Sequence, residues 1–311
     1  MKLTNEYGAP DEIVRAIQND SYTKGGADFS VTELIKPPQI RRLWNEHEED
    51  ISIDVRDEMF KLLGTAVHSI LDSAPKCDMC DGAGLVHDHD TEPCDSCDGT
   101  GVIDDGKIRE KRFYADHNDT TISGAIDLID PTHGSMVVTD YKVTSAYSVK
   151  KGLKEDWERQ LNLYAWLLRQ NGITATKLQI VAICRDWMKS RVGKYDYPDS
   201  MVVVLSVPIW RDGRQDDYVD QRVRVHTQES TLPCTPEERW ARGAYQVNPQ
   251  HSGGGRPRSF DTLQDATDYI NKQRTGSYSI KDGNAKYVRC ESWCEVAPFC
   301  PQWKGEKGNG S

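Results

Sequence analysis

The 311-residue sequence has no apolar run approaching the roughly 20 residues that a membrane-spanning helix needs. Its first residues, MKLTNEYGAPDE, lack the apolar stretch of an export signal, so a cytoplasmic protein is expected. Without export, the nine cysteines are not expected to form a disulfide framework, and metal ligation becomes their leading explanation. Also missing are a long basic run, an RNA-binding signature and a helicase motif. The net charge of -10 argues superficially against a nucleic-acid partner. Its distribution weakens that objection. Cys77–Asp105 holds nine acidic residues and no lysine or arginine, so the remainder is close to neutral and can hold a local basic groove.

The stretch GAIDLIDPTHGSMVVTDYK, Gly124–Lys142, organises the rest. Two β-like runs flank the turn-rich PTHG, predicting a hairpin that sets Asp127 beside Asp140. Two adjacent carboxylates repel unless a cation lies between them, and Mg²⁺ favours carboxylate and carbonyl oxygens. Lys142 lies two residues beyond Asp140, on the same face of the strand. Two acids, a lysine and a metal suit phosphodiester hydrolysis. D-x-K alone is common, and an ordinary hairpin with surface charges would also contain it.

The pattern resembles the PD-(D/E)xK nuclease superfamily, with Asp127 as first acid and Asp140-Tyr141-Lys142 as the D-x-K element. Two flanking motifs extend the resemblance to RecB- and AddB-type nucleases. Asp54–Ser73 reads as an amphipathic helix, with Met59, Leu62, Leu63, Ala66, Val67, Ile70 and Leu71 at helical spacing, and contains GTAVH-x-x-L. The resemblance makes His68 a metal ligand. KEDWERQLNLYAWLLRQ, Lys154–Gln170, predicts a helix stopped by Asn171-Gly172, with Gln160 and Tyr164 four residues apart on one face. Q-x-x-x-Y after D-x-K is a further element of that group, as of lambda-exonuclease-like enzymes. By resemblance Gln160 positions the active site and Tyr164 contacts DNA. The implied Mg²⁺ or Mn²⁺ ligands are His68, Asp127, Asp140 and the Tyr141 carbonyl, and the catalytic residues are Asp127, Asp140, Lys142 and Gln160. Arg185 and Lys189 are expected to face the groove, and Arg185 is a DNA-contact candidate.

Cysteines form two further groups. CDMCDGAG and CDSCDGTG repeat C-x-x-C-x-G-x-G, supplying Cys77, Cys80, Cys94 and Cys97. Four thiolates on two knuckles suit tetrahedral Zn²⁺. Each unit resembles the cysteine-rich repeat of DnaJ chaperones, but nothing else in the chain does, so a zinc ribbon inserted in the core is expected, with His87 and His89 facing solvent. Near the end, RCESWCEVAPFCPQW supplies Cys290, Cys294 and Cys300, and Cys234 is the best fourth ligand. This spacing resembles the C-terminal cluster of AddB-type and CRISPR-associated RecB-like nucleases, which implies a [4Fe-4S] cluster, with Zn²⁺ as the alternative. In those relatives the lone cysteine precedes the core, whereas Cys234 follows it. Cys184 is left over as a buried thiol.

The expected fold is α/β (α+β), a restriction-endonuclease-like core with a central mixed sheet flanked by helices. The expected divisions are an N-terminal segment, 1–53, with a capping box at Ser30 and Glu33 and a basic stretch at Arg41, Arg42 and His47; a nuclease core, 54–210, interrupted by the ribbon at 76–105; a C-terminal helical region with the cysteine cluster, 211–303; and a disordered tail, 304–311. The strands are KIREKRFYAD, the two runs of the hairpin, KLQIVAICRDW and SMVVVLSVPIW, and helices are expected at EIVRAIQND, DDYVDQRVRVHTQ and FDTLQDATDYINKQR. The implied function is a metal-dependent DNA exonuclease of recombination, repair or phage DNA processing, in a bacterial or phage-infected cell. Its partners would be DNA and, through the ribbon, a recombination or replication protein. The alternative is a non-catalytic DNA-binding or assembly module using the ribbon as its interaction surface.

Overall fold

In a computed structural model of the chain, the run QLNLYAWLL lies inside a 16-residue helix, Glu155–Gln170. Residues 1–19, 23–86, 89–131, 134–150, 152–194, 196–228, 232–250, 255–273 and 275–308 are described. Thr132 and His133 of the hairpin turn, His87, and 309–311 of the expected tail lie outside them. The helix buries Trp157, Gln160, Leu161 and every residue from there to Leu168. A helix apolar on so much of its surface must be covered on more than one side. One cover is a six-stranded mixed sheet, and its meeting layer includes Ile122, Ile126, Ile129, Val138, Leu178 and Ile180.

From one edge the sheet runs Val202–Val207, Lys177–Cys184, Val137–Thr144 and Thr120–Asp130. The Asp140 strand pairs in parallel with Lys177–Cys184, a connection that needs a crossover and takes it through the Gln160 helix. All other neighbours among these four are antiparallel. Ile108–His117 pairs along one edge of Thr120–Asp130, and Phe29–Ser30 pairs in parallel with Ile122 and Ser123. The Asn118-Asp119 turn between the first pair has φ of 48° and 59°, as a two-residue type I′ hairpin requires, and so fixes its register. Ser30 caps the short helix Val31–Leu34 by the expected box: its Oγ accepts from the Glu33 amide, and its own amide donates to Glu33 Oε2.

Gly124 is where helix and sheet come closest. A Cβ there would stand 2.9 Å from Tyr164 Cε1 and 2.9 Å from Leu167 Cδ1. Both atoms belong to buried side chains that cannot easily move. Gly124→Ala is therefore expected to destabilise the protein by about 1–3 kcal/mol, read as a lowered urea midpoint at unchanged slope.

The chain divides into two units. One is 5–35 with 55–224, and the other is 1–4, 36–54 and 225–311. Several stretches differ from expectation. Asp212–Thr227 forms the expected helix, but Val219 and Val223 are buried in the sheet unit's core and Asp216 accepts from Trp166 Nε1, so most of it belongs there. Val55–Leu71 is helical, yet only Val55 is buried, while Phe60 is 51% and Ile70 72% exposed. The second unit joins Pro38–His47 to the C-terminal stretch around Ile40, Leu43, Ile51, Ile53, Val296 and Cys300. It is not purely helical: Arg258–Phe260, Tyr245–Pro249 and Tyr278–Asp282 form an antiparallel sheet, with the expected helix at Leu263–Asn271 beside it. Residues 304–308, expected in a disordered tail, continue the Pro301–Gly308 helix, which Glu306 ties down by an ion pair to buried Arg239. Among the described residues, no helix is long and apolar enough to cross a membrane.

Candidate active site and two cysteine groups

The ladder between Thr120–Asp130 and Val137–Thr144 covers only Leu128–Asp130 and Val137–Thr139. One step further the strands part, at Asp127 and Asp140. The Asp127 carboxylate enters the gap and accepts the Tyr141 amide at 2.7 Å. The two acids therefore end at the fork of a splayed hairpin, 8% and 1% exposed. Burial, then the charge of Asp140, raises the Asp127 carboxyl to about 7, against the smaller opposing effects of His68, Lys142 and the Tyr141 amide.

Around this fork stand the other residues singled out from sequence. Lys142 Nζ donates to Asp140 Oδ1 at 3.1 Å and is 2.8 Å from Oδ2. Gln160 Nε2 donates to Asp140 Oδ1 at 2.9 Å and to the Tyr164 hydroxyl at 2.9 Å. Asp140 Oδ2 is buried and accepts no hydrogen bond, for the close lysine approaches it as an ion partner without hydrogen-bond geometry. His68 Nε2 lies 3.0 Å from the Tyr141 carbonyl oxygen, and Nδ1 lies 3.2 Å from Glu110 Oε1 and 3.6 Å from Asp127 Oδ2. The hydrogen bond with Glu110 raises the His68 pKa most, burial opposes it, and the charge of Asp127 adds to the rise. The donor set is two carboxylates, a carbonyl and an imidazole, gathered at the buried end of the fork. It fits a hard divalent cation such as Mg²⁺ or Mn²⁺.

Tyr164 is 4% exposed and packs closely beneath Gly124, with its hydroxyl accepting from Gln160 at the inner side of the fork. Arg185 is exposed, with its guanidinium 4.1 Å over the Phe60 ring. Lys189 begins a short 3-10 turn and is also exposed. Cys184 is fully buried, and burial raises its thiol.

Two residues near the site escaped the sequence reading. Lys154, at the start of the Gln160 helix, lies 4.7 Å over the Trp157 ring. Desolvation lowers its pKa most; the charges of Arg185 and Lys142 lower it further, and Asp156 opposes them. Glu110 groups with His68 and Asp127, their ligand atoms all within 4.8 Å of one another. Counting back from the Asn118-Asp119 turn sets Glu110 opposite Asp127, a signal present in the sequence once that turn is recognised as two residues.

In the first cysteine group, the Sγ atoms of Cys77, Cys80, Cys94 and Cys97 also lie within 4.8 Å, with Cys77–Cys94 at 3.9 Å and Cys80–Cys97 at 3.7 Å. The two repeats mirror each other. Gly84 N donates to Cys80 Sγ, and Gly101 N to Cys97 Sγ, each at 3.3 Å. A Cβ on Gly84 would stand 2.4 Å from the Gly99 carbonyl oxygen, and one on Gly101 2.4 Å from that of Gly82. The glycines let two knuckles press backbone to backbone. His89 falls in the strand His89–Pro93, and its side chain, like all of His87, lies outside the described part.

In the second unit, Cys234, Cys290, Cys294 and Cys300 line one cavity with Arg239 and Gln302. Gln302 Nε2 donates to the Cys234 carbonyl at 2.9 Å, its Oε1 accepts the Cys234 amide at 3.0 Å, and Gln39 Nε2 donates to Cys300 Sγ at 3.3 Å. Burial is the first cause raising Cys234 to about 12 and Cys294 to about 11. These four sulfurs do not form a group within 4.8 Å, unlike those of the first group. All nine cysteines are free of disulfides.

Comparison with known proteins bears on the sheet unit and its continuation. No curated protein matches the chain. Among solved structures, "Crystal structure of SSO0001" is similar at 16% identity, covering 73% of this chain and 88% of that one, with a TM-score of 0.44. A family model does match: residues 100–301, a span that contains Asp127, Asp140, Lys142 and Gln160 but not His68, fit the PD-(D/E)XK nuclease superfamily. The match covers more than half of the sequence, and the chain belongs to the PD-(D/E)XK nuclease superfamily.

Proposed function

We propose that the protein is a Mg²⁺- or Mn²⁺-dependent deoxyribonuclease of the RecB/AddB-like group, acting as an exonuclease in DNA recombination, repair or phage DNA processing. The observation that carries this reading is the fork itself: Asp127, Asp140 and Lys142 converge there, with Asp140 Oδ2 buried and without a hydrogen bond. His68, Asp127, Asp140 and the Tyr141 carbonyl would hold the cation. When bound, it supplies Lewis-acid polarisation of the scissile phosphate and acidifies water. Lys142 has an ammonium to orient attacking water and offset charge on the pentavalent phosphate. Gln160 fixes Oδ1 of Asp140, so that Oδ2, which Lys142 meets as an ion partner, is the oxygen a cation would share. Tyr164 holds Gln160. Lys154 and Arg185 supply positive charge for flanking phosphates, despite the acidic chain. The test is divalent-metal-dependent cleavage of end-labelled single- and double-stranded DNA, with EDTA as control; product lengths give polarity.

The two cysteine groups would hold different metals. Tetrahedral zinc with Zn–S of about 2.3 Å separates its sulfurs by about 3.8 Å, close to the 3.9 and 3.7 Å of the ribbon. The C-terminal set, four cysteines lining one cavity, is proposed to hold a [4Fe-4S] cluster, with Zn²⁺ as the alternative. Anaerobically purified protein is therefore expected to carry about one zinc and four irons and to absorb broadly in the visible. Cys77→Ser should remove the zinc alone, and Cys294→Ser the iron and colour alone. Zinc in both groups would refute the second assignment. The ribbon, with its acidic surface, is proposed to meet a recombination or replication protein rather than DNA phosphates.

A further inference from the structure

Glu110 has a backbone conformation that needs a reason. Its φ is 42°, within a strand whose ladder pairs Arg109 with Leu128 and Lys111 with Ile126 on either side. A non-glycine residue in the left-handed region inside a strand is strained, and such strain persists where surrounding structure imposes it, often at functional sites. Glu110 and Asp127 are opposite in the register but do not pair. The departure turns the Glu110 carboxylate to His68, 3.2 Å from Nδ1, closer than the 3.6 Å to Asp127 Oδ2.

The consequence concerns the other ring nitrogen. A hydrogen on Nδ1, donated to Glu110, leaves a neutral His68 with its lone pair on Nε2. That lone pair faces the Tyr141 carbonyl oxygen at 3.0 Å. In the metal-free neutral ring the charged carboxylate holds the proton against the neutral carbonyl, and the Nε2–oxygen contact loosens until a cation joins the two acceptors. A carboxylate that fixes the tautomer of a ligating histidine is a recurrent way of aiming its free nitrogen at a metal.

We infer that Glu110 is a positioning residue for the metal site: its strained backbone places a carboxylate on His68 Nδ1, holding the tautomer whose Nε2 can ligate the divalent cation beside the Tyr141 carbonyl. This rests on the metal-site reading above. Glu110 acts through His68, and its charge also makes the site more attractive to a cation.

The test combines Mn²⁺ affinity, measured by electron paramagnetic resonance on the full chain, with the His68 tautomer, read from ring ¹⁵N shifts in metal-free protein at alkaline pH. Wild type is expected to show the Nδ1–H tautomer. Glu110→Ala should shift it toward Nε2–H and weaken Mn²⁺ binding about 10–100-fold. Glu110→Gln keeps an oxygen to accept from Nδ1 and should stay within a few-fold of wild type. The Glu110→Ala and His68→Ala losses should not add in the double variant, because both act through one imidazole. Glu110→Gly should weaken Mn²⁺ binding while unfolding at no lower temperature than wild type, since it relieves the left-handed strain; a lowered midpoint would mean that Glu110 merely supports the fold, and would overturn the inference. Unchanged affinity or tautomer in Glu110→Ala would also overturn it, as would a loss in Glu110→Gln equal to that in Glu110→Ala, which would make Glu110 a direct ligand. If Asp127→Asn and His68→Ala leave Mn²⁺ binding intact, the metal-site reading itself fails, a result distinct from any confined to Glu110.

Discussion

Asp140→Asn is expected to reduce metal-dependent DNA cleavage by at least about 10²–10³-fold while leaving the fold in place. The size follows from what the carboxylate does at once. Its Oδ1 accepts from Gln160 and Lys142, and its Oδ2 is the buried atom without a hydrogen bond. An asparagine retains the shape but brings an NH₂ group and removes the charge. A cation then loses a ligand, and Lys142 loses the anion that holds its ammonium at the fork. The fold should survive because the variant keeps the volume of a residue that is 1% exposed, and Lys142 can turn toward solvent. Circular dichroism and the urea midpoint check the fold; end-labelled DNA checks the activity.

The second large effect is a pH-dependent stability that divalent metal reverses. Asp127 has a carboxyl raised to about 7 in the folded chain, against about 3.9 for an unfolded aspartate. Between those values the folded state holds more protons than the unfolded one, so stability falls as pH rises from about 4 to about 7. The limiting slope from one such group is about 1.4 kcal/mol per pH unit. His68 acts in the same direction: its pKa is raised on folding, so its contribution is present below the unfolded value and is lost as pH rises through the folded one. In EDTA, the melting temperature of the sheet unit is expected to fall by several degrees from pH 5 to 8. Mn²⁺ competes with these protons, so its stabilising effect should grow over the same interval. Asp127→Asn keeps an oxygen for the Tyr141 amide but removes the titrating carboxyl, and should flatten the slope. Scanning calorimetry at several pH values, with EDTA or Mn²⁺, makes the measurement.

What could be read from sequence was local. The Asp127 and Asp140 runs, the Gln160 helix and the paired cysteine knuckles each carry their pattern within about twenty residues, and the first acid, the D-x-K element and the glutamine meet as that order implies. The rest depends on contacts distant in sequence. A hairpin pattern does not announce that its ladder stops at Leu128, yet that splay sends Asp127 to the Tyr141 amide. Tyr164 has the spacing of a surface contact, but Gly124, forty residues earlier, admits the ring so closely that it is buried. Alternation in KIREKRFYAD gives a strand and conceals the left-handed turn at Glu110. Lys154 looks like an ordinary helix start until Arg185 and Lys142 are brought near it. The segment 36–54 shares no motif with the C-terminal cysteines, and joins them because Ile40, Leu43, Ile51 and Ile53 find their apolar cover there.

The most direct test of the central claim is cleavage of end-labelled DNA by wild-type protein and by Asp140→Asn, each with Mn²⁺ and with EDTA. The expected result is shortening of the labelled strand by wild type in Mn²⁺ alone. Equal cleavage by a cleanly purified Asp140→Asn protein, or wild-type cleavage that persists in EDTA, would contradict it.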